Sequence, residues 1–144
     1  MINNEKIMVC LKNGPTGDIL IQRGSKLAKL LHCPLFILTV LPQDLNELDA
    51  KQNQYLKQWK EKCDELGATF IVKAKERRRP SEVIKEVASN YDITQLMIGQ
   101  SGQTRWQEII HGCFFNDLLN GLGEIDLHVV SFERYNEERQ ASSV

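Results

Sequence analysis

Three glycines recur at a set spacing late in the chain: Gly99-Gln100-Ser101-Gly102, then nine residues, then Gly112-Cys113. Glycine lets main chain approach a phosphate with no Cβ in the way, and free amides at loops and helix starts point at an anion. Ser101, Gln103, Thr104 and Arg105 add hydroxyl, amide and guanidinium donors in the same stretch. The chemistry implied is phosphate binding. The competing reading is a polar strand-to-helix turn whose glycines serve backbone geometry alone.

Other residues suited to chemistry carry a weaker signal. Cys113 stands two residues from His111, but positions two apart on a helix face away from each other, so they make no nucleophile–base dyad. No paired carboxylates and no metal-ligand spacing accompany them, so neither a catalytic nor a metal site is expected. Arg77-Arg78-Arg79, with Lys73 and Lys75 close by, either reaches an anion or is a solvated, self-repelling loop. Trp106 can stack on a base or pack a helix, whereas Trp59 falls on an apolar stripe and belongs to the core.

The bulk numbers exclude several classes. The 144 residues suit one domain, and 42% apolar with 26% charged residues is ordinary for a globular chain. Eighteen basic and 19 acidic residues leave a net charge of −1, too little to draw the protein onto nucleic acid or an anionic membrane. No apolar run is long enough to span a bilayer, and Met1 to Lys6 lacks a signal-peptide layout, so a cytoplasmic location without membrane insertion is expected. The four cysteines, Cys10, Cys33, Cys63 and Cys113, form no C-x-x-C pair and read as reduced thiols.

The elements that must hold the glycine loop follow from periodicity. Lys6–Leu11 is a short apolar run closed by Asn13-Gly14-Pro15, which predicts a strand buried on both faces. Asp18 then opens a helix with Leu20, Gly24, Leu27, Ala28 and Leu31 on one face, ending near His32-Cys33-Pro34. Leu35–Val40 predicts a second strand. Leu45 to Leu66 carries a long amphipathic pattern, with Gly67 as its left-handed cap. Thr69–Ala74 is a third strand, polar enough for a sheet edge.

Ser81 is expected to cap a helix bearing Val83, Ile84, Val87, Ala88 and Tyr91, and Gln95–Gly99 predicts a fourth strand. A last helix is expected over Trp106–Leu119 and a fifth strand over Ile125–Ser131. Strands separated by helices throughout predict an α/β fold with a parallel, doubly wound sheet. Ligands of such sheets bind beyond the strands' carboxyl ends, where strand order reverses, so the loops after the first and fourth strands are the place to look.

With those residues in view, the G-x2-G-x9-G pattern resembles the nucleotide loop of the universal stress protein family, and the likeness runs over about residues 6–132. Ile98 to Glu108 and Ile125 to Val130 further resemble the universal-stress-like domain of KdpD potassium-sensor histidine kinases, and Lys12 to Gly17 fits that subgroup's first loop. The resemblance implies a Rossmann-like five-stranded sheet in the order 3-2-1-4-5 over residues 1–135, followed by a polar tail at 136–144.

It also implies a nucleotide site made of Lys12, Asn13, Val40, Gly99, Ser101, Gly102, Gln103, Thr104, Arg105, Gly112 and Cys113. Two positions depart from the family pattern: Lys12 replaces an acidic residue, and Cys113 replaces a Ser or Thr. The function implied is a non-catalytic signalling domain that needs no cofactor and receives cyclic di-AMP or ATP in potassium or stress regulation. A homodimer through the fifth strand and a regulatory protein partner are implied as well. A ligand-free dimeric interaction module and a weak nucleotide hydrolase are the alternatives.

Overall fold

The computed structural model describes residues 4–11, 17–41, 47–100 and 123–131. The elements are β1 (Ile7–Leu11), α1 (Gly17–Leu31), β2 (Leu35–Leu41), α2 (Ala50–Leu66), β3 (Thr69–Ala74), α3 (Pro80–Asn90), β4 (Gln95–Gln100) and β5 (Asp126–Ser131). Every strand pairing is parallel, and the order across the sheet is β3-β2-β1-β4-β5. The predicted doubly wound sheet is therefore present.

β1 is central, and all five of its residues are buried. Its side chains alternate between two cores. Met8 and Cys10 join Leu38, Leu96, Ile98 and the α3 residues Val83, Ile84, Val87 and Ala88. Ile7, Val9 and Leu11 join Leu20, Ile21 and Ala28 of α1 with Trp59 and Cys63 of α2. Right-handed crossovers require this split, because the chain moves one way across the sheet through α1 and α2 and turns back through α3. Each fully buried Ile, Leu, Met or Val contributes on the order of 1.5–3 kcal/mol of burial, which makes β1 the axis of the domain.

The helices start and stop for identifiable reasons. α1 ends where His32 takes a left-handed backbone (φ 52°), letting the Cys33 N–H reach the Ala28 carbonyl at 3.0 Å. Asp49 caps α2: its carboxylate accepts from the Gln52 N–H at 2.7 Å, and the Gln52 side chain accepts from the Asp49 N–H at 3.1 Å. Gly67, at φ 70°, closes the far end as expected.

The start of α3 corrects the reading of Ser81 as its cap. Arg79 occupies the cap position with an extended backbone, Pro80 is the first helical residue, and Ser81 lies within the first turn, 1% exposed. Proline explains the shift: it forbids a helical conformation in the residue before it and is itself suited to the first helical position.

At the opposite end of the sheet, Glu5, Thr94, Gln95 and His128 tie β1, β4 and β5 together. The Glu5 carboxylate accepts from the Thr94 hydroxyl and, at 2.9 Å, from the Gln95 amide nitrogen. The Gln95 oxygen consequently faces His128 Nε2 at 2.9 Å, which makes Nε2 the protonated ring nitrogen.

Candidate functional site

β1 pairs with β2 on one side and β4 on the other. From β1 the chain leaves toward β2 and from β4 toward β5, so the strand order reverses between the carboxyl ends of β1 and β4. A crevice opens at such a reversal because the two outgoing connections diverge.

The register defines what borders it. Cys10 is level with Ile98, so the next step sets Leu11 beside Gly99, while Leu11 is also level with Thr39 of β2. The Thr39 side chain is completely buried, and its hydroxyl donates to the Leu11 carbonyl at 3.3 Å. This bond pins the last residue of β1 to β2 where the chain departs for the first loop. Val40 follows on β2, half-buried against the α3-side core.

α1 begins at Gly17 on the same margin, with Asp18 in its first turn, so its leading amides, which have no acceptor within the helix, belong to this end of the molecule. Gly17 is buried beneath the indole of Trp59: a Cβ on Gly17 would stand 2.6 Å from Trp59 Cζ2. Of the residues named from the sequence, Val40 and Gly99 therefore flank the crevice from β2 and β4, with β1 between them. Lys12, Asn13, Ser101, Gly102, Gln103, Thr104, Arg105, Gly112 and Cys113 lie outside the described residues, as do the expected last helix and most of the glycine loop. β1 ends at Leu11 and β4 at Gln100 on this margin.

The basic loop after β3 is engaged elsewhere. Arg78 pairs with Glu86, and Arg79 Nε approaches Glu82 Oε1 at 3.3 Å, both carboxylates belonging to α3. These pairs are exposed and contribute little to stability, but they commit two of the three guanidiniums to α3. A hollow of about 540 Å³ lies at the other end of the sheet, between the ends of α1 and α2, and is lined by Ser25, Lys29, His32, Cys33, Leu35 and Leu66 among others. It is remote from the crevice. Among the described residues no group of three His, Cys, Asp or Glu side chains could hold a metal ion.

The role of Thr39 and the contact of Trp59 with Gly17 escaped the sequence reading. Thr39 leaves a trace, as a polar residue inside the apolar run of β2. The Gly17–Trp59 contact joins residues 42 positions apart and leaves none.

The model of the universal stress protein family matches residues 3–122. The chain belongs to that family. A KdpD-type sensor protein of Synechocystis sp. is 32% identical over 133 residues, covering 89% of this chain and 34% of that protein. The universal stress domain thus spans about a third of the length of that relative.

Among solved structures, a universal stress protein in complex with cAMP superimposes with a TM-score of 0.63 at 15% identity, covering 88% of this chain and 95% of the other. The universal stress protein of Archaeoglobus fulgidus in complex with dAMP gives a TM-score of 0.53 at 17% identity, with 90% and 98% covered. At these identities the structural likeness establishes the shared fold. No helix among the described residues is long and apolar enough to cross a membrane.

Proposed function

We propose that this universal stress domain is a non-catalytic receptor for an adenine nucleotide, with cyclic di-AMP and ATP as the leading ligands, acting in the cytoplasm in potassium or stress regulation. The observation that carries the reading is the G-x2-G-x9-G run issuing from β4 at the strand-order reversal. Relatives of the same fold in complex with cAMP and dAMP support an adenine nucleotide, and the KdpD-type relative supports a sensory setting. Bare amides on a glycine turn, aided by the hydroxyl and guanidinium donors of Ser101, Thr104 and Arg105, suit a phosphate.

Titration calorimetry of the purified protein with ATP, AMP and cyclic di-AMP tests this. At least one should bind below ~100 μM, and Gly102→Leu should abolish the heat while leaving the thermal midpoint in place. Absence of heat with all three would defeat the reading. Nucleotide incubated for hours with the protein should be recovered intact, and stoichiometric phosphate release would replace the receptor by a hydrolase.

A dimer through β5 is the second part of the proposal. Val129 is 45% exposed on this edge strand, an apolar side chain beside backbone groups that have no further strand to pair with among the described residues. Light scattering should give twice the chain mass, and Val129→Arg should halve it; a monomer in both would remove this part.

A further inference from the structure

Resting on the nucleotide reading above, we infer that Trp59 is a positioning residue for the nucleotide crevice and acts through Gly17. The indole lies flush against the first turn of α1: a Cβ on Gly17 would meet Trp59 Cζ2 at 2.6 Å and both Cε2 and Nε1 at 2.7 Å. Separations that short are incompatible with a side chain, so glycine at 17 is what allows the helix to settle on the ring.

The ring itself has little room to yield. Trp59 is 2% exposed and stacks on Tyr55 with centroids 5.6 Å apart and planes at 21°. It is also, with Cys63, one of the two buried side chains of α2, so the ring that anchors α2 to the body is the ring that seats α1. The turn it seats directly follows the first loop, and its leading amides stand at the margin where the strand order reverses. A helix start displaced by even one ångström would carry those amides away from an anion, and positional errors of that size weaken recognition by an order of magnitude or more. The contact therefore sets where the first turn of α1 stands at the carboxyl margin of the sheet.

Three full-length variants test this: Gly17→Ala, Trp59→Leu and the double variant. Calorimetry with ATP, AMP and cyclic di-AMP is paired with amide hydrogen exchange over residues 18–24. Gly17→Ala should weaken nucleotide binding at least tenfold and speed exchange in that first stretch of α1, with exchange in β5 unchanged. Trp59→Leu removes all three ring atoms that the new methyl would meet, so the double variant should regain most of the affinity and the slow exchange.

A Gly17→Ala protein that binds and exchanges like the parent overturns the inference, as does a double variant no better than Gly17→Ala. Should Gly17→Ala alone fail to fold, a folded and binding-competent double variant supports the seat, and failure of both overturns it. If the parent binds none of the three nucleotides, the receptor reading falls by itself, while the exchange rescue still decides whether Trp59 seats α1.

Discussion

The Thr39 hydroxyl donates to the carbonyl of Leu11 at 3.3 Å, bridging β2 to the last residue of β1 in a fully buried setting. Thr39→Val keeps the shape and removes the donor. A buried hydrogen bond of this kind contributes about 1 kcal/mol, and the remaining carbonyl loses one partner, so urea unfolding should show a loss of about 1–2 kcal/mol with an unchanged slope. Nucleotide affinity should fall as well, because the end of β1 leads into the first loop. An unaltered midpoint would mean that the Leu11 carbonyl is satisfied without Thr39.

Gly24 fixes how closely α1 lies on the sheet. A Cβ there would come within 2.4 Å of Val9 Cγ2, and Val9 is completely buried in the central strand. Alanine is favoured over glycine in a helix by about 1 kcal/mol, but overpacking costs about 1–3 kcal/mol, and a β-branched neighbour cannot swing aside. Gly24→Ala should therefore lower the thermal midpoint. A rise would show that α1 lifts off the sheet at little cost.

Glu5 makes stability depend on acidity. The Thr94 hydroxyl and then the Gln95 amide hold its carboxyl below the ordinary value of 4.5, because both donate to the ionised form. The folded value is depressed, so the stabilisation is present in full above pH 4.5 and is lost as the pH falls through the lower folded value. Glu5→Gln should be less stable than the parent at pH 7, and the gap should narrow as the pH falls below 4.5. A gap constant over that range would show that the charge of Glu5 is immaterial.

Thiol labelling should discriminate among the cysteines. Burial raises the thiol of Cys10, and it pushes Cys63 up to about 11. Cys33 is raised too, by burial and then by the Glu5 charge, but it remains partly exposed. Thiolate is the reactive species, so at pH 8 Cys63 is ionised to only about one part in a thousand. Peptide mapping after a short exposure to iodoacetamide should find Cys33 modified well ahead of Cys10 and Cys63, with all three modified in urea. Early labelling of Cys10 would place it nearer solvent than the sheet allows.

Much of this domain was legible from local signals. The apolar runs of β1, β2 and β4 and the stripe of α1 announce themselves through periodicity, since what decides them is the burial of neighbouring side chains. Gly67 was recognisable as a cap for the same local reason. At Arg79-Pro80-Ser81 the proline overrode a plausible serine cap, a conflict between two local rules that only the folded backbone settles. For the site, Val40 and Gly99 could be placed on one margin because a parallel sheet aligns its carboxyl ends whatever the side chains are.

Composition and pattern by themselves determined the class of fold and the two-sided burial of the central strand, because both follow from short-range periodicity and chain handedness. The tertiary structure alone decided that Trp59 packs on Gly17, that Thr39 holds Leu11, and that Arg78 and Arg79 turn toward α3. These contacts depend on how far apart packed elements come to rest, a distance set by the whole core and written in no single stretch of chain.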